Sequence, residues 1–488
     1  MGAEFNVAAS KGWTTMKALL EKARVPALMI LAAAAPLGAW LGVPLKQAGT
    51  KTVTFIGAFE LVIWPALVLV LATRLIQDGP AGVFRALRRA PAAGWWLLAL
   101  AAWSGLAWPR IAAGGGQNAS FLAVAKELVQ MAEYGLVAFV VTAELIREDE
   151  RARRSLLAVL GAAFGLALAV GAVQYFSLSG RTAFQVGSVF GGHDGDGAFL
   201  PNSNALGAFL AIMVPFAATL ALGRSGCCCW WNAVWGLLAA GGALLVLSGG
   251  GLLGVVCGAL AGAAVLGRRR LALAFLALIA VLAIGQALPR RNLSTAVTSV
   301  SPVRVNPRNG EKVLAVRYLR YASELTVLAK GLSGKNWPEL FFGLGPGGYA
   351  REKIYRPVLD DRFVEAAGQT DAPENFDVLA NEPNSFDLWL GQAAQLGILG
   401  LAGFLWLFAW WAGAALRSWK RTTAEDPMRP LAAAAFAAVV GAAAAGAFGS
   451  PWIQGVGPLL GMAVAMAFVP LGRRKTEDGA AEVKVIHV

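Results

Sequence analysis

Glu382, Asn384 and Asp387 lead the segment NEPNSFDLWLGQAAQLGILG, residues 381–400, which turns from polar to wholly apolar along its length. A carboxylate such as Glu382 can orient or deprotonate a hydroxyl, the work of a general base. Asn384 suits a helix N-cap, and Asp387 falls where a capping box places its acidic partner. Asn384, Asp387, Gly391, Gln392 and Gln395 then share one helical face. The plainer reading is an interfacial helix with that face toward water and Trp389 at headgroup depth. Upstream, EKVLAVRYLRYASELTVLAKGL sets Arg317, Arg320 and Glu324 beside a helical stripe of Leu314, Tyr318, Tyr321, Leu325 and Leu328. Arg320 and Glu324 could be an ordinary helix pair. The arginines could equally bind a pyrophosphate through bidentate guanidinium forks. Between these stretches lies FFGLGPGGYAREKIY, a glycine-rich turn closed by Tyr349. A further polar loop carries Arg181 and ends in PNSNALG, where Asn202 and Asn204 open an apolar run. Asparagine is also a common helix cap.

The rest of the chain must hold these residues in place. Its 488 residues are 57% hydrophobic and 15% charged, whereas a soluble chain carries about a quarter charged residues. Apolar runs of roughly 18 residues or more recur throughout, long enough to cross a bilayer. The alternating strands of a membrane barrel are not visible. The expected fold is therefore an all-α polytopic membrane protein with about 12 transmembrane helices. The expected spans are 26–45, 53–73, 92–108, 121–143, 155–177, 204–222, 232–248, 250–266, 271–288, 395–416, 431–449 and 451–470. No cleavable signal peptide is expected before them.

An even number of spans puts both termini on one side, and the positive-inside rule makes that side cytoplasmic. The inner segments then hold Lys17/Lys22/Arg24, Arg85/Arg88/Arg89, Arg147/Arg151/Arg153/Arg154, Arg268/Arg269/Arg270, Arg417/Lys420/Arg421 and Arg473/Arg474/Lys475. The expected organisation is a membrane body at 1–288, a long periplasmic loop with amphipathic helices at 289–394, and the last spans with a cytoplasmic tail at 395–488. The long polar loop is expected on the outer face of the membrane.

Other chemistry finds little purchase. Cys227, Cys228, Cys229 and Cys257 offer neither a disulfide framework nor zinc spacing, and His193 and His487 stand apart from other ligand types. No metal, cofactor or nucleic-acid partner is expected. Inside the spans lie Glu60, Lys126, Gln130 and Glu133. Ionisable groups at such depths usually pair or line a wet cavity, and a structural Glu60–Lys126 pair is expected. If they lined a path instead, the chain would be a transporter, and its membrane body is similar to that of small-anion, bicarbonate-type carriers. Such a protein gathers its polar residues near the midplane on broken, repeated helices, whereas here they gather in one loop.

In order along the chain come Arg181, PNSNALG, the arginine-bearing helix, GLGPGGY, and an Asn-led helix ending QLGILG. This order resembles the O-antigen ligase/polymerase family, whose members read G-[VL]-G-P-G-x-[FY] followed by H-N-x-x-L…E-[LT]-G-[LI]-[LI]-G. The resemblance covers about residues 170 to 416. It implies a membrane glycosyltransferase that takes a glycan from undecaprenyl pyrophosphate at the periplasmic face. The acceptor would be a carrier-linked glycan in a polymerase, and the lipid A core or a protein in a ligase or pilin transferase. It further implies Arg317 and Arg320 as catalytic residues, and Arg181, Asn202, Asn204, Tyr349, Asn384 and Asp387 as substrate-binding; with the family's histidine absent, either Glu382 (or, less favoured, Asp387) acts as the catalytic base, or positioning and leaving-group stabilisation act alone. Two departures stand out: the family's histidine position holds Pro383, and the spacing from Asn384 to Gly397 is about three residues longer. The missing histidine favours an O-antigen or exopolysaccharide polymerase over a lipid A core ligase.

Overall fold

In hydrocarbon every backbone N–H and C=O must be satisfied by the segment's own chain, so a sequence this apolar folds into helices. The computed structural model describes residues 2–38, 40–41, 43–46, 53–88, 129–147, 149–177, 186–193, 199–223, 229–267, 303–305, 312–314, 331–334, 337–343, 388–423, 428–449 and 456–468. It also describes short pieces of 269–281, residues 324–325 and 328–329, and Asp426. The helices are α1 (Gly2–Leu37), α2 (Ala58–Leu87), α3 (Val129–Ile146), α4 (Glu150–Ser177), α5 (Ser203–Gly223) and α6 (Cys229–Leu244). They continue with α7 (Gly249–Leu266), α8 (Trp337–Phe342), α9 (Trp389–Arg421), α10 (Met428–Ala445) and α11 (Gly457–Ala467).

Seven of these, α2, α3, α4, α5, α7, α9 and α10, are long and apolar enough to cross a membrane. They coincide with seven of the expected spans. The spans expected at 26–45, 232–248 and 451–470 fall on α1, α6 and α11. The one expected at 92–108 lies outside the described residues, and 271–288 is described only in pieces.

The purely helical expectation needs one adjustment. Among the described residues three two-stranded antiparallel ribbons join the helices: β1 (Val43–Lys46) with β2 (Val53–Ile56), β3 (Gly191–His193) with β4 (Phe199–Pro201), and β5 (Val303–Val305) with β6 (Lys312–Leu314). Chain that has left a helix can satisfy its backbone groups in a short ladder. The β1/β2 ribbon therefore takes the end of the span expected at 26–45 and the start of that expected at 53–73. The helical stripe expected from Leu314 begins inside β6, where Leu314 pairs with Val303.

The densest packing joins α5, α7 and α10. Helices α5 and α7 run parallel, with Gly207 against Gly251, Ala211 against Gly254, Pro215 against Gly258 and Thr219 against Gly262. Helix α10 runs antiparallel to both, bringing Gly441 to Gly254 and Ala437 to Gly258. A Cβ on Gly258 would sit 2.7 Å from both the Ala437 carbonyl oxygen and Pro215 Cγ. Small residues at four-residue spacing let helix backbones approach closely where lipid supplies no hydrophobic drive. Ser248 caps α7, its Oγ accepting from the Gly251 N–H at 3.1 Å.

A second seam is polar. Glu60 accepts from Gln130 Nε2 at 2.7 Å and the Tyr134 hydroxyl at 2.9 Å, and Trp64 Nε1 donates to Glu133. Further along, Arg74 pairs with Glu144 at 2.5 Å. These pairs ascend together in sequence, so α2 and α3 are parallel. Lys126, the partner expected for Glu60, lies outside the described residues. Helix α3 widens to a π-turn at Glu133–Val137 beside these groups.

Residues from the basic segments meet at one end of the bundle. There Arg24 donates to the carbonyls of Glu144 and Leu145, Arg153 reaches Met428 Sδ at 3.0 Å, and Arg270 donates to the Gly223 carbonyl at 3.4 Å. At the opposite end the Leu388 N–H donates to the Gly446 carbonyl at 2.8 Å.

The glycine seam makes a direct prediction. Gly258→Ala should destabilise the detergent-purified protein by about 1–3 kcal/mol through overpacking. Gly236→Ala, whose new Cβ would find its nearest neighbour at 3.9 Å, should be neutral or stabilise by up to about 1 kcal/mol through helix propensity. Thermal unfolding of the two variants side by side checks this.

Candidate functional site

The end of the bundle away from the basic segments is shaped by two left-handed glycines. Gly343, just after α8, and Gly397, inside α9, both have φ of 71°. L-residues with side chains rarely adopt such a backbone. The two also press against each other's flanking chain. A Cβ on Gly343 would lie 2.5 Å from Gly397 N, and one on Gly397 would lie 2.5 Å from Phe342 N. Gly343 is the first glycine of GLGPGGY and Gly397 the first of QLGILG. The two motifs therefore meet backbone to backbone.

With ψ of −173°, Gly397 breaks α9 into a short half-helix up to Leu396 and a long one from Ile398. The short half is fixed to the end of α10. Besides the Leu388 bond to Gly446, Trp389 Nε1 donates to the Ala443 carbonyl at 3.0 Å, and its ring meets Phe408 edge-on at 5.4 Å. Gln392 and Gln395 are both buried. This overturns the interfacial reading in which their face looks toward water. The half-helix lies between α8 and the end of α10, so its amides face protein, while Ile398 and Leu399 beyond the break are exposed. Leu388 occupies the N-cap position and makes no side-chain cap.

Asn202 and Asn204 sit together at the start of α5. Asn202 Oδ1 accepts from the Asn204 N–H at 2.9 Å and the Ala205 N–H at 3.3 Å, so Asn202 is the N-cap of α5. Its own N–H donates to the Phe190 carbonyl at 2.9 Å. Phe190 belongs to a buried turn, residues 186–190, which carries a feature that sequence reasoning missed. Ser188 is buried with φ of 57°, the left-handed region, and is held there from two sides. Its N–H donates to Gln174 Oε1 at 2.6 Å, and Gln174 Nε2 donates back to its carbonyl at 3.1 Å. The Ser188 hydroxyl donates to the Ala167 carbonyl at 2.5 Å. The available signal was Gln174 itself, a polar residue late in an apolar span.

Arg181, Arg317, Arg320, Tyr349, Glu382, Asn384 and Asp387 lie outside the described residues. Of the expected site residues, the structure thus brings together Asn202 and Asn204. Glu324, beside the arginines in sequence, is fully buried. Among the described residues no group of three or more His, Cys, Asp or Glu could hold a metal ion.

Fold and seams define a polytopic helical membrane protein. No family model matches the chain, and no curated protein matches it.

The glycine junction can be tested alone. Gly397→Ala should cost about 2–4 kcal/mol, combining left-handed strain with steric overlap. Gly449→Ala, where the nearest atom to a new Cβ is 3.9 Å away, should cost far less. Thermal unfolding of both in detergent gives the comparison.

Proposed function

We propose that this protein is a membrane glycosyltransferase that draws glycan from undecaprenyl pyrophosphate at the periplasmic face and polymerises a surface polysaccharide. One observation carries the reading: the GLGPGGY and QLGILG motifs, far apart in sequence, meet at Gly343 and Gly397 at the end away from the basic segments. These two motifs are also the most specific part of the resemblance to the O-antigen ligase/polymerase family.

Helix directions support the sidedness. Parallel α2 and α3 leave Leu87 and Val129 at opposite ends, which supports the span expected at 92–108. Leu266 and Trp389 likewise lie at opposite ends, which supports the span expected at 271–288. On this reading there are twelve spans, with both termini on the side of the basic segments, which the positive-inside rule makes cytoplasmic. The outer loop then faces the periplasm of a bacterial inner membrane.

In the reaction an acceptor sugar hydroxyl attacks the anomeric carbon of the carrier-linked glycan with inversion. The new C–O bond forms as the bond to undecaprenyl pyrophosphate breaks, and the leaving group departs with the electron pair. Glu382 takes the hydroxyl proton. Arg181, Arg317 and Arg320 offset the charge gathering on the pyrophosphate. Asn384, Asp387, Asn204 and Tyr349 hold sugar, and Asn202 contributes through its cap and remaining amide N–H. No metal or nucleotide sugar takes part. A ligase acting on the lipid A core or a protein uses the same donor chemistry and differs only in acceptor. Small-anion transport fits less well, because the chain gathers its polar residues in the stretch 289–394 and not near the midplane on broken, repeated helices.

Three measurements test this. Arg317→Ala and Arg320→Ala should each abolish polymer formation in cells at normal protein levels, each losing a charge-assisted contact of about 1.5–3 kcal/mol. Glu382→Gln should slow turnover of a carrier-linked repeat unit by about 10²–10⁴-fold. Parental polymer levels in both arginine variants would remove the pyrophosphate assignment. For topology, Ser333→Cys and Thr423→Cys, both at exposed positions, are made in a background lacking the native cysteines. An impermeant thiol reagent should label the first from the periplasm and leave the second untouched. Labelling of Thr423→Cys instead would invert the protein and end the proposed mechanism.

A further inference from the structure

Helix α2 breaks at Gly79, whose φ of 67° and ψ of −168° nearly repeat those of Gly397. The two glycines serve different ends. Gly397 is pressed by a neighbouring chain, whereas a Cβ on Gly79 would meet nothing within 4 Å. Gly79 is therefore needed for the change of direction and not for packing. Pro80 follows it, with the backbone angle that opens a helix, and a Cβ on Gly82 would strike Asp78. The corner is tight. It also comes where the span is used up: at about 1.5 Å per residue, Ala58 to Asp78 covers roughly 30 Å, the thickness of the hydrocarbon. Beyond the corner the chain stays helical to Leu87, with Gly82 and Ala86 buried. Its free surface is still apolar in part, with Phe84 67% exposed and Leu87 50% exposed.

We propose that the segment from Pro80 to Leu87 lies along the membrane interface at the basic end of the bundle and binds anionic phospholipid headgroups. Its surface pattern fits that place. Phe84 and Leu87, three apart, form an apolar stripe, and the exposed Arg85 and Arg88 form a basic stripe beside it. The Arg85 side chain is 64% exposed, and its carboxylate neighbour, Asp78, stands 3.9 Å away and is shared with Arg74 at 3.3 Å. Both guanidinium groups keep donors for a phosphate. An amphipathic helix of this kind sinks its apolar side to the headgroup boundary and is held there by anionic lipid. Water suits neither Phe84 nor Leu87, and a zwitterionic lipid has no net charge to hold the arginines. The inference is independent of the glycosyltransferase reading.

The test uses the full-length protein in lipid nanodiscs, with Ala81→Cys placed in a background lacking the native cysteines. Ala81 is exposed and lies about one turn before Phe84 and Arg85, so a small fluorophore there leaves both stripes intact. Its fluorescence is quenched in turn by phosphatidylglycerol brominated near the headgroup, by phosphatidylcholine brominated alike, and by acrylamide in the water. Both bromolipids should quench, and acrylamide should quench far less than at Thr423→Cys, an exposed position after α9. At equal mole fraction, phosphatidylglycerol should be enriched beside the label roughly fivefold, the effect of about one arginine at an anionic surface. Added salt should lower that preference. Arg85→Gln/Arg88→Gln should bring it close to one while phosphatidylcholine still quenches, and Arg85→Lys/Arg88→Lys should keep most of it. Acrylamide quenching as strong as at Thr423→Cys would place the segment in water and overturn the inference. Protection from lipid and acrylamide alike would mean that protein, such as a second copy of this chain, covers the face, with the same consequence. Equal quenching by the two lipids, or a preference that the glutamine variant retains, would also overturn it.

Discussion

Three backbones meet where Gly254 of α7 faces Ala211 of α5 and Gly441 of α10. Between helices in lipid the hydrophobic effect gives no net pull, because hydrocarbon tails are as apolar as leucine. Close approach supplies attraction instead, through dispersion contacts that fall away quickly with distance. The stripe Gly251, Gly254, Gly258 and Gly262 removes the side chains that would keep α5 and α10 apart. Much else follows from this seam. It fixes the register of α5, and so places Asn202 and its cap at one end of the bundle. It also fixes Gly223 at the other end, where Arg270 and Pro430 close on it.

The α2–α3 seam solves a different problem. Burying Glu60, Glu133 and Glu144 is costly unless each is bonded, and an ion pair such as Arg74–Glu144 need not outdo a well-packed apolar replacement in stability. What such groups add is alignment. An apolar seam can slip by a turn at modest cost, whereas Arg74 meets Glu144, and Trp64 meets Glu133, at one offset only. The two seams therefore divide the work: glycines set how close the helices come, and polar pairs set how they slide. Arg24 extends the same logic to α1 by bonding two carbonyls at the end of α3.

At the other end, a third device joins α8 to α9. Gly343 and Gly397 exchange backbone surface where no side chain would fit, and α9 breaks at that point. A continuous helix would carry the direction of the long half straight back through residues 389–396. The break frees the short half to lie between α8 and the end of α10, where its amides are enclosed by protein. Irregular backbone near membrane depth is tolerated where protein surrounds it or a polar cavity adjoins it. Together with the caps and the Ser188 turn, this makes one end of the bundle rich in fixed backbone and polar groups, while the other end is chiefly basic.

Much of the helical framework was legible because hydropathy reports the transfer of a whole segment into lipid, a property of that segment alone. α2, α3, α4, α5, α7, α9 and α10 all appear in the sequence as apolar runs, and Asn202 could be recognised as a cap from its place before one. The grouping of basic residues was equally local. What could not be read were properties that depend on a neighbour. Gln392 and Gln395 form a polar face whose sequence pattern is the same whether water or protein lies opposite, and only the packing of α8 and α10 turned it inward. Glu60 could be expected to need a partner, but that Gln130 and Tyr134 supply its bonds depends on the offset between α2 and α3. Gly343 looked like a turn glycine and Gly397 like part of an expected span, and the two are separated by more than fifty residues. Their contact was decided by tertiary structure, because a missing side chain leaves no mark in sequence of what comes to occupy its space.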